Sequence, residues 1–128
     1  MMFNVLTQEG KTYRDEIDYV VVRNEDGETG ILNNHIPIIL QIKEGYCRFV
    51  SGKNESFLVV EQGVVEFKNN ELNILALEAQ MGQTLDKARA AFNLMKKEKM
   101  ELAKKENIDF SKMERELKEN IIKGKASQ

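Results

Sequence analysis

Apolar and polar residues follow two different periods along this chain, and the change falls near residue 82. The first part consists of short runs rich in Val, Ile, Leu and Phe, separated by turn-forming residues, at positions 2–7, 20–22, 38–42, 46–50, 57–60, 64–67 and 72–77. Residues 12–14, Thr-Tyr-Arg, extend the chain again between the first two of these runs. Runs of this length and composition are typical of β-strands. Seven or more of them at this spacing predict an antiparallel β-sandwich or flattened barrel.

The helical period begins after this change. Thr84 fits an N-cap, and Asp86 suits the positive end of a helix. Apolar residues then recur in steps of three and four, at Leu85, Ala88, Phe92, Met95 and Leu102, interrupted only by Lys99. The sequence therefore predicts an amphipathic helix with one apolar stripe.

A second helix is predicted after a break at residues 107–109, which read Asn-Ile-Asp. Ser111 and Glu114 have the spacing of a capping box, and a second apolar stripe follows at Phe110, Met113, Leu117 and Ile121. The predicted fold is α+β: a β-sandwich over residues 1–83 and an antiparallel two-helix hairpin over residues 84–128. Because an isolated hairpin buries little surface, we expect it to be marginal and able to act as a switch.

Composition shows how charged residues are distributed along the chain. The chain has 128 residues, 31% of them charged, and a formal net charge of -2. Residues 84–128 hold 12 basic and 8 acidic side chains, and their alternating signs are typical of a solvated helix surface rather than a nucleic-acid arm. No signal peptide or membrane span is present, so we expect a soluble intracellular protein.

Candidate chemistry is scarce. With one His, His35, and one Cys, Cys47, the ordinary zinc sites and an intrachain disulfide cannot be assembled. Phosphate-binding and dinucleotide-binding glycine motifs are absent, and the acidic runs at residues 15–18 and 25–26 are typical of solvated strand ends. The sequence predicts no catalytic residue, no metal site and no required cofactor.

The stretch of residues 27–37, Gly-Glu-Thr-Gly-Ile-Leu-Asn-Asn-His-Ile-Pro, contains the only His and the only Pro. Gly and Asn tolerate positive φ, and Pro37 restricts Ile36 to an extended conformation. We predict a loop with one defined backbone path. It is either a plain connection between strands, with the His35 ring hydrogen-bonded inside it, or a docking surface.

This order of residues, after the strand at residues 18–22, resembles the β-domain signature of the epsilon subunit of F-type ATP synthases, called delta in mitochondria. Asn33 and Asn34 stand where the family usually has Pro-Gly, and Asn keeps the left-handed conformation available. Residues 85–90, Leu-Asp-Lys-Ala-Arg-Ala, also match the Ile/Leu-Asp-x-x-Arg-Ala motif with which some bacterial members bind ATP.

The resemblance implies a non-catalytic central-stalk subunit that couples ion flow through the membrane c-ring to ATP synthesis and restrains ATP hydrolysis through its C-terminal helices. The implied partners are the gamma subunit, the c-ring, and the alpha and beta subunits, at the cytoplasmic face of the cell membrane. The implied gamma and c-ring contacts are Glu28, Gly30, Ile31, Leu32, His35 and Pro37.

ATP is implied as a regulatory ligand, at Leu85, Asp86, Arg89 and Ala90. This chain has Gln80, Lys96, Glu119 and Lys123 where ATP-binding members have an acid and arginines. Because phosphates need cations and Glu119 would repel them, we expect weak binding or none. The alternative function is a free-standing β-sandwich binding module that dimerises through its helices.

Overall fold

The computed structural model describes the backbone of residues 1–126 and the side chains of residues 1–106 and 111–117. Seven strands precede one helix. The strands are β1 (Met2–Thr7), β2 (Thr12–Glu16), β3 (Tyr19–Asn24), β4 (Gly27–Leu32), β5 (Ile38–Ser51), β6 (Asn54–Lys68) and β7 (Glu71–Gly82). The helix, α1, spans Leu85–Ala126. The predicted α+β class, a β-sandwich domain followed by a helical segment, is confirmed.

The strands form one sheet in the order β2-β1-β7-β6-β5-β3-β4. All neighbours are antiparallel except β1 and β7, which run parallel with Met2 opposite Glu71. The sheet is therefore mixed rather than fully antiparallel as predicted. The first strand lies beside the last one, and a partner roughly 70 residues away leaves no signal in local sequence.

Three long strands bend where the sheet folds over itself. In β5, β6 and β7 the buried positions are even-numbered at one end and odd-numbered at the other. The last buried residue before the switch and the first one after it are Ile42 and Cys47 in β5, Val60 and Gly63 in β6, and Ala76 and Ala79 in β7. Since Ile42 pairs with Gly63 and Gly63 pairs with Ala76, the three switches lie at one level. This level is the corner at which one sheet becomes two layers.

Layer A contains β2, β1 and the halves of β7, β6 and β5 next to them, and layer B contains the other halves with β3 and β4. The core lies between the layers. Phe3 of layer A stacks on Phe49 of layer B, with ring centroids 4.2 Å apart and planes 8° from parallel. Each large core side chain contributes roughly 1.5–3 kcal/mol by its burial, so this core accounts for most of the driving force for folding.

Two backbone features shape the corner. Gln62 has a φ of 53° in the middle of β6, which breaks the strict alternation of that strand. At Gly45 an added Cβ would overlap the carbonyl oxygen of Arg23. The backbone N–H of Glu44 also donates to the Glu25 carboxylate (2.6 Å), which lowers the pKa of that carboxyl. The turn between β3 and β4 is thereby held against the corner.

The predicted loop of residues 27–37 is shorter in the structure. Gly27–Leu32 is the edge strand β4, which pairs with β3 from Asn24 opposite Gly27 to Tyr19 opposite Leu32. Only residues 33–37 form a loop. The sequence signal for the β3–β4 hairpin is Asp26 followed by Gly27, because Asp-Gly favours tight turns between antiparallel strands. Gly27 has a φ of 122°.

The helical segment also differs from the prediction. Its backbone is one helix from Leu85 to Ala126, without the break predicted at residues 107–109. Asn, Ile and Asp each cost only a few tenths of a kcal/mol in a helix, and residues 85–123 contain no Gly or Pro. The side chains of Phe110 and Ile121, two members of the second predicted stripe, lie outside the described residues.

The predicted helix start is confirmed. Thr84 is the N-cap, since its Oγ1 accepts the backbone N–H of Lys87 (3.2 Å) and its carbonyl accepts that of Ala88 (3.0 Å). The chain divides into two compact units, residues 1–92 and residues 93–128. The first unit therefore contains the sheet together with the first two turns of α1.

Candidate functional site

The loop of residues 33–37 has one well-defined path. Asn34 has a φ of 63°, as the sequence allowed, and its backbone N–H donates to Asn70 Oδ1 (3.2 Å) in the adjacent turn. The His35 ring places Nδ1 2.6 Å from the carbonyl oxygen of Ile36 and meets Phe67 edge-on, with centroids 6.2 Å apart. His35 therefore fixes the shape of the loop.

Exposed apolar side chains surround this loop. Leu32 is 59% exposed, Ile36 75% and Ile39 66%. Pro37 is also exposed. Ile36 and Ile39 were not among the predicted docking residues, although alternation along β5 would have placed Ile39 outside. These side chains make one end of the sandwich, which we call the loop end, an apolar surface that a partner could cover.

The other predicted docking residues lie elsewhere. Ile31 is fully buried in the core, so its role in this conformation is packing. Glu28 and Gly30 lie on the exposed side of β4, and Glu28 pairs with Arg23 (3.3 Å). At roughly 3.3 Å per residue, Glu28 lies about 13 Å along the strand from Leu32. The predicted docking residues therefore lie along the edge strand β4 and the loop that follows it, and not in a single loop.

A second exposed apolar surface lies on the outside of layer A. Leu6 pairs with Leu75, and Leu75 pairs with Val64, so three adjacent strands carry one apolar row. The row lines a groove at the corner, and Leu77, Gln41 and Lys43 are among the other residues of its lining. We call this surface the corner groove. The sequence did not predict it, because the row joins residues from strands far apart in the chain.

The residues of the predicted ATP motif lie in the first two turns of α1. Asp86, Arg89 and Ala90 are exposed and Leu85 is half-buried. The Arg89 guanidinium lies over the Tyr46 ring, 6.0 Å from its centroid. Gln80 accepts a hydrogen bond from Lys11 Nζ (2.9 Å). The side chains of Glu119 and Lys123 lie outside the described residues.

Reactive groups are few in the part of the chain that the structure describes. It contains no group of three or more His, Cys, Asp or Glu side chains placed to hold a metal ion. Burial raises the pKa of the Cys47 thiol to about 12, so this thiol stays protonated at neutral pH. Within the described range, α1 is not apolar enough to qualify as a membrane span.

The fold and these surfaces define a class, a β-sandwich with exposed apolar docking surfaces and a C-terminal helical segment. Residues 1–82 match the family model described as ATP synthase, delta/epsilon chain, beta-sandwich domain. The chain belongs to this family.

Curated relatives agree with that assignment. The chain is 36% identical over 116 residues to the ATP synthase epsilon chain of Halalkalibacterium halodurans, covering 90% of this chain and 87% of that one. It is 38% identical over 113 residues to the epsilon chain of Desulfitobacterium hafniense, covering 86% and 83%.

Its fold is similar to a chain in the Euglena gracilis mitochondrial ATP synthase (TM-score 0.57, 18% identity, 62% of this chain and 51% of that one). It is also similar to a chain in the central stalk and c-ring of the Tetrahymena thermophila enzyme (TM-score 0.52, 16% identity, 62% and 64%). The chain thus spans about half of the Euglena chain and under two thirds of the Tetrahymena chain.

Proposed function

We propose that this chain is a non-catalytic rotor subunit in the central stalk of an F-type ATP synthase. It couples ion flow through the c-ring to ATP synthesis and restrains ATP hydrolysis through its C-terminal helical segment. Its partners are the gamma subunit, the c-ring, and the alpha and beta subunits. It sits peripherally at the cytoplasmic face of the cell membrane.

The observation that carries this proposal is the pair of exposed apolar surfaces on one rigid sandwich. A subunit that transmits torque must hold two partners at once, and each contact needs apolar area that is not already buried in the core. The loop end, with Leu32 and Ile36, supplies one contact. The corner groove, with Leu6 and Leu75, supplies another. We assign the loop end and the β4 edge to the c-ring, and the corner groove to gamma.

The side chains of α1 support its proposed role in restraining ATP hydrolysis. Its exposed apolar side chains include Leu94, Met100, Leu102, Met113 and Leu117, and residues 84–128 carry a net positive charge. A long helix with exposed apolar positions and a basic balance suits insertion beside gamma, against acidic faces of alpha and beta subunits. Inserted there, it would block rotation mechanically.

Truncation separates the two activities. A chain ending before Thr84, assembled into the enzyme, should raise ATPase activity several-fold and leave synthesis intact, because the coupling contacts belong to the sandwich. Hydrolysis and synthesis are measured on the same membrane vesicles. Loss of both activities, or unchanged hydrolysis, would contradict this division of labour.

Paired substitutions test the two docking surfaces. Ile36→Asp at the loop end should weaken ATP-driven ion pumping while the chain still binds an isolated gamma subunit. Leu75→Asp in the corner groove should weaken gamma binding instead. Each variant serves as the control for the other, since both place a charge on an exposed apolar site. If neither substitution changed pumping, gamma binding or assembly, both assignments would be wrong.

Purification distinguishes a stalk subunit from the alternative function, a free-standing β-sandwich binding module. A stalk subunit should be recovered from gently solubilised membranes with gamma, alpha and beta subunits. Recovery only as a monomer or homodimer would favour the binding module.

A further inference from the structure

The turn between β3 and β4 is held to β5 by two side chains. Asn24 Nδ2 donates to the carbonyl oxygen of Gln41 (2.9 Å), and the Glu25 carboxylate accepts the backbone N–H of Glu44 (2.6 Å). The regular pairing of β3 with β5 has already ended one residue earlier, at Arg23. These two side chains therefore continue the attachment beyond the main-chain ladder. We call the pair of bonds the corner latch.

Asn24 uses both ends of its amide in this latch. Its Oδ1 accepts the backbone N–H of Asp26 (3.0 Å) inside the turn, while its Nδ2 reaches Gln41 in β5. One half-buried side chain thus joins the turn to the strand. Within the described lining of the corner groove, Gln41 is present and Asn24 is not. Asn24 can therefore act on the groove only through the residues that it holds.

The corner groove is lined by two kinds of structure. Its apolar row belongs to strands β1, β7 and β6, which are joined to one another by main-chain pairing. Glu25 of the turn and Gln41 and Lys43 of β5 also line it. The contribution of the turn depends on the latch for its position, because the ladder has ended before the turn begins.

We propose that Asn24 and Glu25 are positioning residues for gamma binding, which hold the corner groove in the shape that gamma occupies by fixing the β3–β4 turn to β5. The proposal rests on the assignment of the corner groove to gamma under the proposed function. It goes beyond that assignment because it gives a role to Asn24, which does not line the groove.

The physical reason is preorganisation. A surface turn that moves freely must be ordered when a partner binds beside it, and this ordering lowers the affinity. A turn that is already fixed in the bound arrangement avoids the cost. Because the latch lies outside the core between the two layers, its loss should weaken gamma binding while the sandwich stays folded.

Hydrogen exchange and titration with isolated gamma subunit test the latch on the full-length chain. Glu25→Ala should accelerate exchange of the Glu44 amide roughly tenfold or more, because that amide loses its acceptor. It should also weaken gamma binding roughly tenfold, as expected for the loss of one hydrogen bond to a charged group. Glu25→Gln should recover most of both losses, because an amide oxygen can accept the same N–H.

Glu55→Ala is the matched control for the loss of a carboxylate. Glu55 is exposed, pairs with Arg48 (3.4 Å) and lies outside the described lining of the groove. Its substitution should leave gamma affinity and the exchange of the Glu44 amide unchanged. A loss of gamma affinity equal to that of Glu25→Ala would overturn the latch, because any lost surface charge would then have the same effect.

Asn24→Ala separates positioning from direct contact. It removes both bonds of the amide and no residue of the groove lining, and it should weaken gamma binding about as much as Glu25→Ala does. Urea unfolding of each variant establishes that the titrations are made on folded protein. If Glu25→Gln binds gamma as poorly as Glu25→Ala, the carboxylate contacts gamma directly and the positioning role is wrong.

The groove variant Leu75→Asp distinguishes failure of the latch from failure of the proposed function. If Leu75→Asp weakens gamma binding but Asn24→Ala and Glu25→Ala do not, the latch has no positioning role and the assignment of the groove stands. If Leu75→Asp also leaves gamma binding unchanged, that assignment fails and the positioning role fails with it.

Discussion

At the scale of single residues, Gly45 shows how one missing side chain permits the corner. Its Cβ position is occupied by the carbonyl oxygen of Arg23 in the neighbouring strand and lies 3.1 Å from a methyl group of Ile42. A side chain here would push β3 and β5 apart at the level where the sheet folds over.

Gly45→Ala should therefore destabilise the protein by about 1–3 kcal/mol or more, in the range of overpacking substitutions. Urea unfolding followed by circular dichroism measures this. Gly30→Ala has space around the new methyl group and should change the unfolding midpoint little. Equal effects of the two substitutions would mean that strand glycines matter only through their backbone entropy.

Cys47 illustrates a buried group whose chemistry the fold suppresses. Its side chain is fully buried and its pKa is raised to about 12, because burial disfavours the thiolate. The native chain should react with a thiol reagent at pH 8 only as fast as it unfolds, and urea should accelerate labelling to the rate of an exposed thiol. Fast labelling of the native chain would contradict this burial.

The same pKa shift predicts a pH dependence. Below pH 9 the thiol is protonated in both the folded and the unfolded chain, so it adds no pH dependence. Above pH 9 only the unfolded chain ionises its thiol, which stabilises the unfolded state relative to the folded one. Linkage therefore predicts that the free energy of unfolding is independent of this thiol below pH 9 and falls between pH 9 and about 12. Cys47→Ala should show a smaller loss over that range in urea titrations.

At the scale of elements, the first compact unit ends inside α1 and not at the start of this helix. The sheet ends at Gly82, but the first compact unit extends to Phe92. Ala88 and Phe92 are the buried side chains of these two turns. A fragment that ends at residue 83, where the sequence period changes, lacks two buried side chains of the first compact unit.

Fragments 1–82 and 1–92 should differ in stability for this reason. We expect both to fold, with 1–92 more stable by about 1.5–3 kcal/mol, the value of burying one large apolar side chain. Thermal melts followed by circular dichroism at a β-sheet wavelength compare them. If the fragments melt together, the two turns contribute nothing to the sandwich.

At the scale of the whole molecule, the contacts of Arg89 bear on whether ATP binds. Arg89 lies over Tyr46, so phosphate binding would have to compete with this cation–π contact, which is worth about 0.5–1 kcal/mol at an exposed site. Beyond Arg89, the candidate phosphate partners in the sequence are Lys96 and Lys123, and Glu119 would repel a phosphate.

We expect the isolated chain to bind ATP more weakly than micromolar, with an affinity that falls as salt is added, because the remaining cations are lysines. Titration calorimetry at two salt concentrations measures this, with Arg89→Ala as the comparison. Micromolar or tighter binding that Arg89→Ala abolishes would show that the lysines replace the missing arginines.

Local sequence was sufficient for features set by neighbouring residues. The left-handed backbone of Asn34, with a φ of 63°, and the N-cap at Thr84 follow from the side chains at those positions. The strand runs and the change of period near residue 82 also appear in the structure. Such features depend on backbone preference and hydrogen bonds within a few residues, so their causes are visible in the sequence.

Tertiary structure decided what depends on distant residues. The parallel pairing of β1 with β7, the fold of three strands at a common corner, and the row that joins Leu6, Leu75 and Val64 all require strands that the chain brings together from far apart. The same reason explains why Ile31 became core while Ile36 stayed exposed. Whether an apolar side chain packs inside or remains available to a partner is settled by which layer covers it, and short-range periodicity carries no information about the covering layer.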